Sequence, residues 1–175
     1  KLALLPKGTR GGVVHAVFTL RFGNEASLFG QGDVPDAVAA LLDKGTASLS
    51  RQQVQDRLDQ LKTQLSVRGG TGSVTVSLSS RREHIAEAII LVGELLRRPA
   101  LPADALDELK RQALAGIEQQ RKEPDSVADN ALARHGDPYR RGDPRHARSF
   151  DEMVEDINAL SLDKLRDFHT RFYGA

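Results

Sequence analysis

Apolar positions recur along this chain with two periods, and each period predicts its own kind of element. From Gly32 to Thr46, read as GDVPDAVAALLDKGT, residues Val34, Ala37, Val38, Leu41 and Leu42 fall at i, i+3, i+4, i+7 and i+8, the spacing of one buried helical face. Asp33 is placed to cap that helix, Pro35 sits in its first turn and Gly45 is placed to end it. The opposite face holds Asp36, Ala39, Ala40 and Asp43.

Elsewhere the same two periods alternate. Leu2 to Leu5 reads as a short strand stopped by Pro6 and Gly8. Val13 to Phe22 alternates, with Ala16, Phe18, Leu20 and Phe22 on one face and His15, Val17, Thr19 and Arg21 on the other. Gly23 to Gln31 reads as a turn-rich connection. Ser50 with Gln53, Ser80 with Glu83 and Ser149 with Glu152 are capping-box signatures that open helices. Between the first two of these, Leu65 and Val67, then Gly69 to Gly72, then Val74, Val76 and Leu78 read as a two-stranded hairpin. A long helix begins near Pro102 and is broken at Pro124, with helix resuming from Ser126 to Arg134. His135 to Arg148 is an irregular basic loop, and Ser161 opens a last helix whose Leu162, Leu165, Phe168 and Phe172 face inward. The order β-β-α-α-β-β-α-α, followed by more helices, predicts a single α+β domain over 1–175. Its sheet is expected to be largely antiparallel, of about four to six strands, with helices covering one face.

Composition narrows the function classes. The 175 residues carry a net charge of +1, which gives no overall field for nucleic acid or anionic lipid. No apolar run approaches the roughly 20 residues that span a bilayer. Cysteine is absent, so there is no thiol nucleophile or thiolate metal site. The chain opens at Lys1 in an apolar run without Met, signal or transit sequence, and reads as a segment of a longer protein.

Candidate chemistry is sparse. The histidines, His15, His84, His135, His146 and His169, include no pair at i, i+3 or i, i+4, the spacing of a helical metal site. No G-x-S-x-G elbow marks a serine nucleophile. The Gly69-Gly70-Thr71-Gly72 turn lies between strands and lacks the Lys-Ser or Lys-Thr of a phosphate loop. Arginine pairs at Arg81-Arg82, Arg97-Arg98 and Arg140-Arg141 lack the interleaved aromatics of a nucleic-acid module, although Arg140 to Arg148 could form a cationic patch. Tyr139 reads as a loop aromatic and Tyr173 as a helix-end packing residue.

Taken in order, several segments resemble one known family. They are LALLPKGTRGGVVHAVFTLRFG, LLDKGTASLS, QDRLDQLKTQLSV, LLRRPALPADALDELKRQALAGIEQQRKEPDSVA and LSLDKLRDFHTRFYGA. Together they resemble one domain of the zinc metallopeptidases that include pitrilysin, insulin-degrading enzyme and the mitochondrial processing peptidase. Catalytic domains of that family carry H-x-x-E-H shortly before a K-G-T tripeptide, and a later glutamate ligand. Set against Lys44-Gly45-Thr46, the motif falls on Asp36, Ala39 and Ala40, and the distal glutamate falls on Gly116, in A-G-I where active domains have E-E-I. Both histidines, the base and the distal ligand are therefore replaced, which removes the Lewis acid and water activation together.

The resemblance implies a non-catalytic domain, the first of the inactive half of a clamshell peptidase, with no cofactor of its own. Zinc is then expected in a partner catalytic half, in the same chain or a separate subunit, with peptide as substrate and a bacterial, extracytoplasmic setting. A structural core subunit without proteolytic role is the alternative, and a cationic module at Arg140 to Arg148 a third reading.

Overall fold

The alternation from Val13 onward builds the first strand, β1 (Val13–Arg21), entered through a short 3-10 turn at Arg10–Gly12. The structure is a computed structural model and describes residues 3–6, 8 and 10–174. After β1 come α1 (Glu25–Leu28), α2 (Val34–Leu41), α3 (Arg51–Gln60), the hairpin β2 (Gln64–Gly70) and β3 (Ser73–Arg81), then α4 (Ile85–Arg97), α5 (Ala103–Gln120), α6 (Pro124–His135), α7 (Phe150–Asn158) and α8 (Leu162–Phe172). The expected α+β class is borne out.

Among the described residues the sheet has three strands in the order β1-β3-β2, all antiparallel, fewer than the four to six expected. Part of the difference lies at the start. Leu2 is outside the described residues, and Ala3 to Pro6 form no strand, with Leu4 and Leu5 79% and 88% exposed. An extended segment without a neighbour to share hydrogen bonds gains nothing from the strand conformation.

Period two divides the sheet into two faces. Val74, Val76 and Leu78 of the central strand are buried beneath the helices, with Ala16, Phe18, Leu65 and Val67 packed beside them. The opposite face aligns His15, Ser79 and Gln64 in one row, Val17, Ser77 and Ser66 in the next, and Thr19, Thr75 and Arg68 in a third. No buried residue comes from these rows, and the Thr19 and Thr75 hydroxyls lie 3.4 Å apart.

The helix starts at Ser50, Ser149 and Ser161 follow local chemistry. The capping boxes at Ser50 and Ser149 form as expected, and the Ser161 side chain accepts from the Lys164 N–H. The box expected at Ser80 does not form. Ser80 is instead the last inward residue of β3, buried, accepting from the Thr63 hydroxyl at 2.8 Å and donating to the Leu61 carbonyl. Helix α4 begins only at Ile85. The connection Gly23 to Gln31 also contains a short helix, α1, opened by a capping box at Asn24.

Helix α2 lies at the centre of the main core. Val34, Ala37, Val38, Leu41 and Leu42, the predicted inner face, are all buried. They meet Leu106 and Ile117 of α5, Ile157 of α7, and Leu165 and Phe168 of α8 in one cluster. The helix ends at Leu41, and the following turn needs Gly45, whose φ is +129° and where a Cβ would stand 3.0 Å from the Leu49 carbonyl oxygen. That turn is fastened from α4: the Thr46 hydroxyl donates to Glu94 at 2.7 Å and the Ser48 hydroxyl donates to the same oxygen.

Candidate functional site

The four positions singled out by the zinc-motif alignment divide between two helices. Asp36, Ala39 and Ala40 are on α2, and Gly116 is on α5, exposed, with open space where a side chain would project. The face of α2 opposite its inner stripe is not uniformly open. Ala39 is 1% exposed, because β2 runs across it. A Cβ on Gly69 would stand 2.8 Å from the Ala39 Cβ and 2.7 Å from Asp36 Oδ1. Glycine on the strand and alanine on the helix thus let the two backbones approach more closely than any larger pair allows.

Asp36 is the one ionisable group left among these positions. Burial pushes its carboxyl above the usual range, the neighbouring charge of Asp33 adds to the rise, and Arg148 opposes it. The field of Asp36 also reaches Tyr173, whose phenol is pushed up chiefly by burial. Tyr173 is buried at the end of α8, its ring 5.4 Å from that of Phe22 and stacked 5.0 Å from that of His169, and its hydroxyl has no hydrogen-bond partner among the described residues. The packing role expected of Tyr173 is therefore its role, with a polar atom left over.

At the N-terminal end of α2, Asp33 occupies the cap position but makes no capping bond. Arg148 holds it instead, through two parallel bonds of 2.7 and 2.9 Å, and bonds Asp156 of α7 at 3.0 Å. A cleft of about 240 Å³ opens here, bordered by Asp33, Asp36, Thr71, His146, Arg148 and Asp156.

His146 is fixed nearby. Its Nδ1 faces two acceptors, Asp137 Oδ2 at 2.6 Å and the Tyr139 carbonyl at 3.0 Å, so that nitrogen carries a proton. Its Nε2 faces Glu152 at 3.4 Å. Burial opposes a charge on the ring, but Asp137 and Glu152 outweigh it and hold the imidazole above its ordinary value.

The basic loop is charge-compensated within the chain. Arg141 pairs with Glu155 at 2.7 Å, Arg145 with Glu25 at 2.8 Å and Asp143 at 2.9 Å, and Arg140 lies over the Phe29 ring. Asp143 is held down at about 2 by Arg145. The Arg145–Glu25 pair and the Arg140–Phe29 contact link segments far apart in the chain, and no local pattern signals them. Among the described residues no group of three or more His, Asp or Glu side chains is arranged to hold a metal ion, and no helix is long and apolar enough to cross a membrane.

The fold and this blank helix face are the features to compare. No protein-family model matches the chain. The curated protein "Non-peptidase homolog YmxG" of Helicobacter pylori is 30% identical over 129 residues, 74% of this chain. The crystal structure of a peptidase M16 inactive domain from Pseudomonas fluorescens superposes with a TM-score of 0.71 at 22% identity, covering 93% of this chain. The chain has the M16 peptidase-domain fold. Pitrilysin superposes as well, with a TM-score of 0.63 at 11% identity over 92% of the chain, and the family resemblance of the sequence is borne out. This M16-type domain spans 28% of the length of the curated relative, 39% of the Pseudomonas chain and 17% of the pitrilysin chain.

Proposed function

We propose that this chain is a non-catalytic domain of a zinc-dependent M16-type peptidase. It forms part of the wall of a chamber in which peptides are cut, while a partner half bearing an intact H-x-x-E-H motif holds the zinc. The observation that carries this reading is the state of α2. Its inner face is a complete core stripe, and its other face offers one carboxylate, at Asp36, beside an alanine sealed by Gly69. A zinc peptidase site needs three protein ligands and an open position for water. The similarity to a protein named a non-peptidase homolog and to an inactive M16 domain supports the same reading.

The sheet supplies surface suited to a wall. Its helix-free face is rich in hydroxyls, from Thr19, Ser66, Thr75, Ser77 and Ser79, with Val17 an exposed apolar side chain among them. On β1, Val14 to Arg21 have no further strand on their outer side among the described residues, and an extended peptide can pair with such an edge through main-chain bonds. The test is reconstitution. The purified chain should hydrolyse no peptide alone, and zinc-dependent cleavage should arise only when the catalytic half is present. Assembly with that half that leaves cleavage unchanged favours a structural core subunit.

A further inference from the structure

The charge carried by the sheet has one sign and lies on one side. The chain has 24 Asp and Glu residues, yet none is in β1, β2 or β3. The strands carry His15, Arg21, Arg68 and Arg81, and the register sets all four on the helix-free face, where each is exposed. Elsewhere on the surface Arg57 pairs with Glu87 and Arg141 with Glu155. The side chains of Arg21, Arg68 and Arg81 have no ion pair, hydrogen bond or ring contact among the described residues. Along the chain, the nearest acidic residues lie beyond the strand ends and are engaged there. Glu25 pairs with Arg145, Asp59 accepts from Gln55, and Glu83 lies 3.4 Å from His84.

We infer that this face binds an extended acidic segment of polypeptide. Its cations stand at two ends, Arg21 and Arg68 near the β2–β3 turn and Arg81 with His15 at the other. Between them runs a lane of hydroxyls, Thr75, Ser77 and Ser79 of β3, flanked by Thr19 and Ser66. Arg68 shares its row with Thr75, and Arg81 lies six residues further along β3, a rise of about 20 Å. A segment lying along β3 therefore meets guanidinium groups with carboxylates about six residues apart, while the hydroxyls donate to and accept from its main chain. Cations without internal partners attract an anionic partner and repel a basic one.

Other anions fit less well. The face has no Phe, Tyr or Trp on which bases would stack, and Val17, its one exposed apolar side chain, is too little to enter a bilayer. The inference deepens the chamber-wall reading and rests on it for the source of the peptide. Binding is measured without the catalytic half and without cleavage, so its failure and a failed reconstitution are separate results.

Fluorescence anisotropy tests it, using the full chain and a labelled decapeptide with two glutamates at each end and serine and threonine between. The peptide should bind at least about tenfold tighter than its lysine counterpart, and more weakly as salt rises. Arg68→Glu with Arg81→Glu should weaken binding at least about tenfold. Arg97→Glu with Arg111→Glu, exposed helix positions with the same change in charge, should leave it within about twofold. Arg68→Gln with Arg81→Gln, which places no new charge on the strands, should lose affinity in the same direction. No binding of the acidic peptide, equal binding of the lysine peptide, or affinity unchanged in the Arg68 and Arg81 variants overturns the proposal. So does tighter binding of a ten-nucleotide oligothymidylate or of phosphatidylserine vesicles.

Discussion

Gly69 of β2 sits against Ala39 of α2 so closely that a Cβ on the glycine would lie 2.8 Å from that of the alanine. The contact covers part of the helix face on which the family's zinc motif aligns, at Ala39, while Asp36 stays exposed. It also makes a direct prediction. Gly69→Ala must push the strand off the helix and should cost about 1–3 kcal/mol. Ala39→Glu, which places a carboxylate at a site 1% exposed, should cost more. Urea unfolding midpoints measure both, and wild-type midpoints for the two variants would mean that strand and helix are free to separate.

Arg148 joins three elements by bonding Asp33 before α2 and Asp156 on α7. The guanidinium is partly exposed, so the loss on Arg148→Met falls between that of a surface pair and a buried one, about 1–3 kcal/mol. Proteolysis should then cut first within the 136–148 loop, because that loop loses its tie to α2. Limited digestion with mapped cleavage sites reads this out.

His146 makes the stability of the same region depend on pH. Its folded pKa is raised, so its ionic contribution is complete below the unfolded value of about 6.5 and is lost as pH rises through the higher folded value. His146→Gln should lower the thermal midpoint at pH 6, and the difference from wild type should shrink at pH 9. A difference that grows with pH would contradict the placement of the ring between Asp137 and Glu152.

Asp36 acts with the opposite sign. Its carboxyl is raised by burial and by Asp33, so ionisation disfavours the folded state as pH climbs through its titration. Asp36→Asn should raise the thermal midpoint at pH 7 and leave it unchanged near pH 3. Equal effects at both values would show that the carboxylate is not strained by its surroundings.

Much of this was legible in the sequence, and the divisions are physical. Spacing alone gave the buried stripe of α2, because a helix's inner face is written within a few turns. Local capping gave the starts of α3 and α7, but the same S-x-x-E pattern misled at Ser80. There the alternation Val74, Val76, Leu78 continues one step further, and pairing within the sheet outcompetes the cap. What no local pattern encodes is contact at long range. Asp33 and Arg148 are 115 positions apart, and only the register of β2 brings Gly69 over Ala39. The alignment identified α2 as a helix lacking zinc ligands, and the fold adds that its vacated positions are partly sealed.

The most direct test of the account is the zinc content of the purified chain after equilibration with excess zinc and gel filtration, read by mass spectrometry of the metal. A non-catalytic domain should retain far less than one zinc per chain, with no difference between wild type and Asp36→Ala. Retention of one zinc per chain that falls on Asp36→Ala would contradict it.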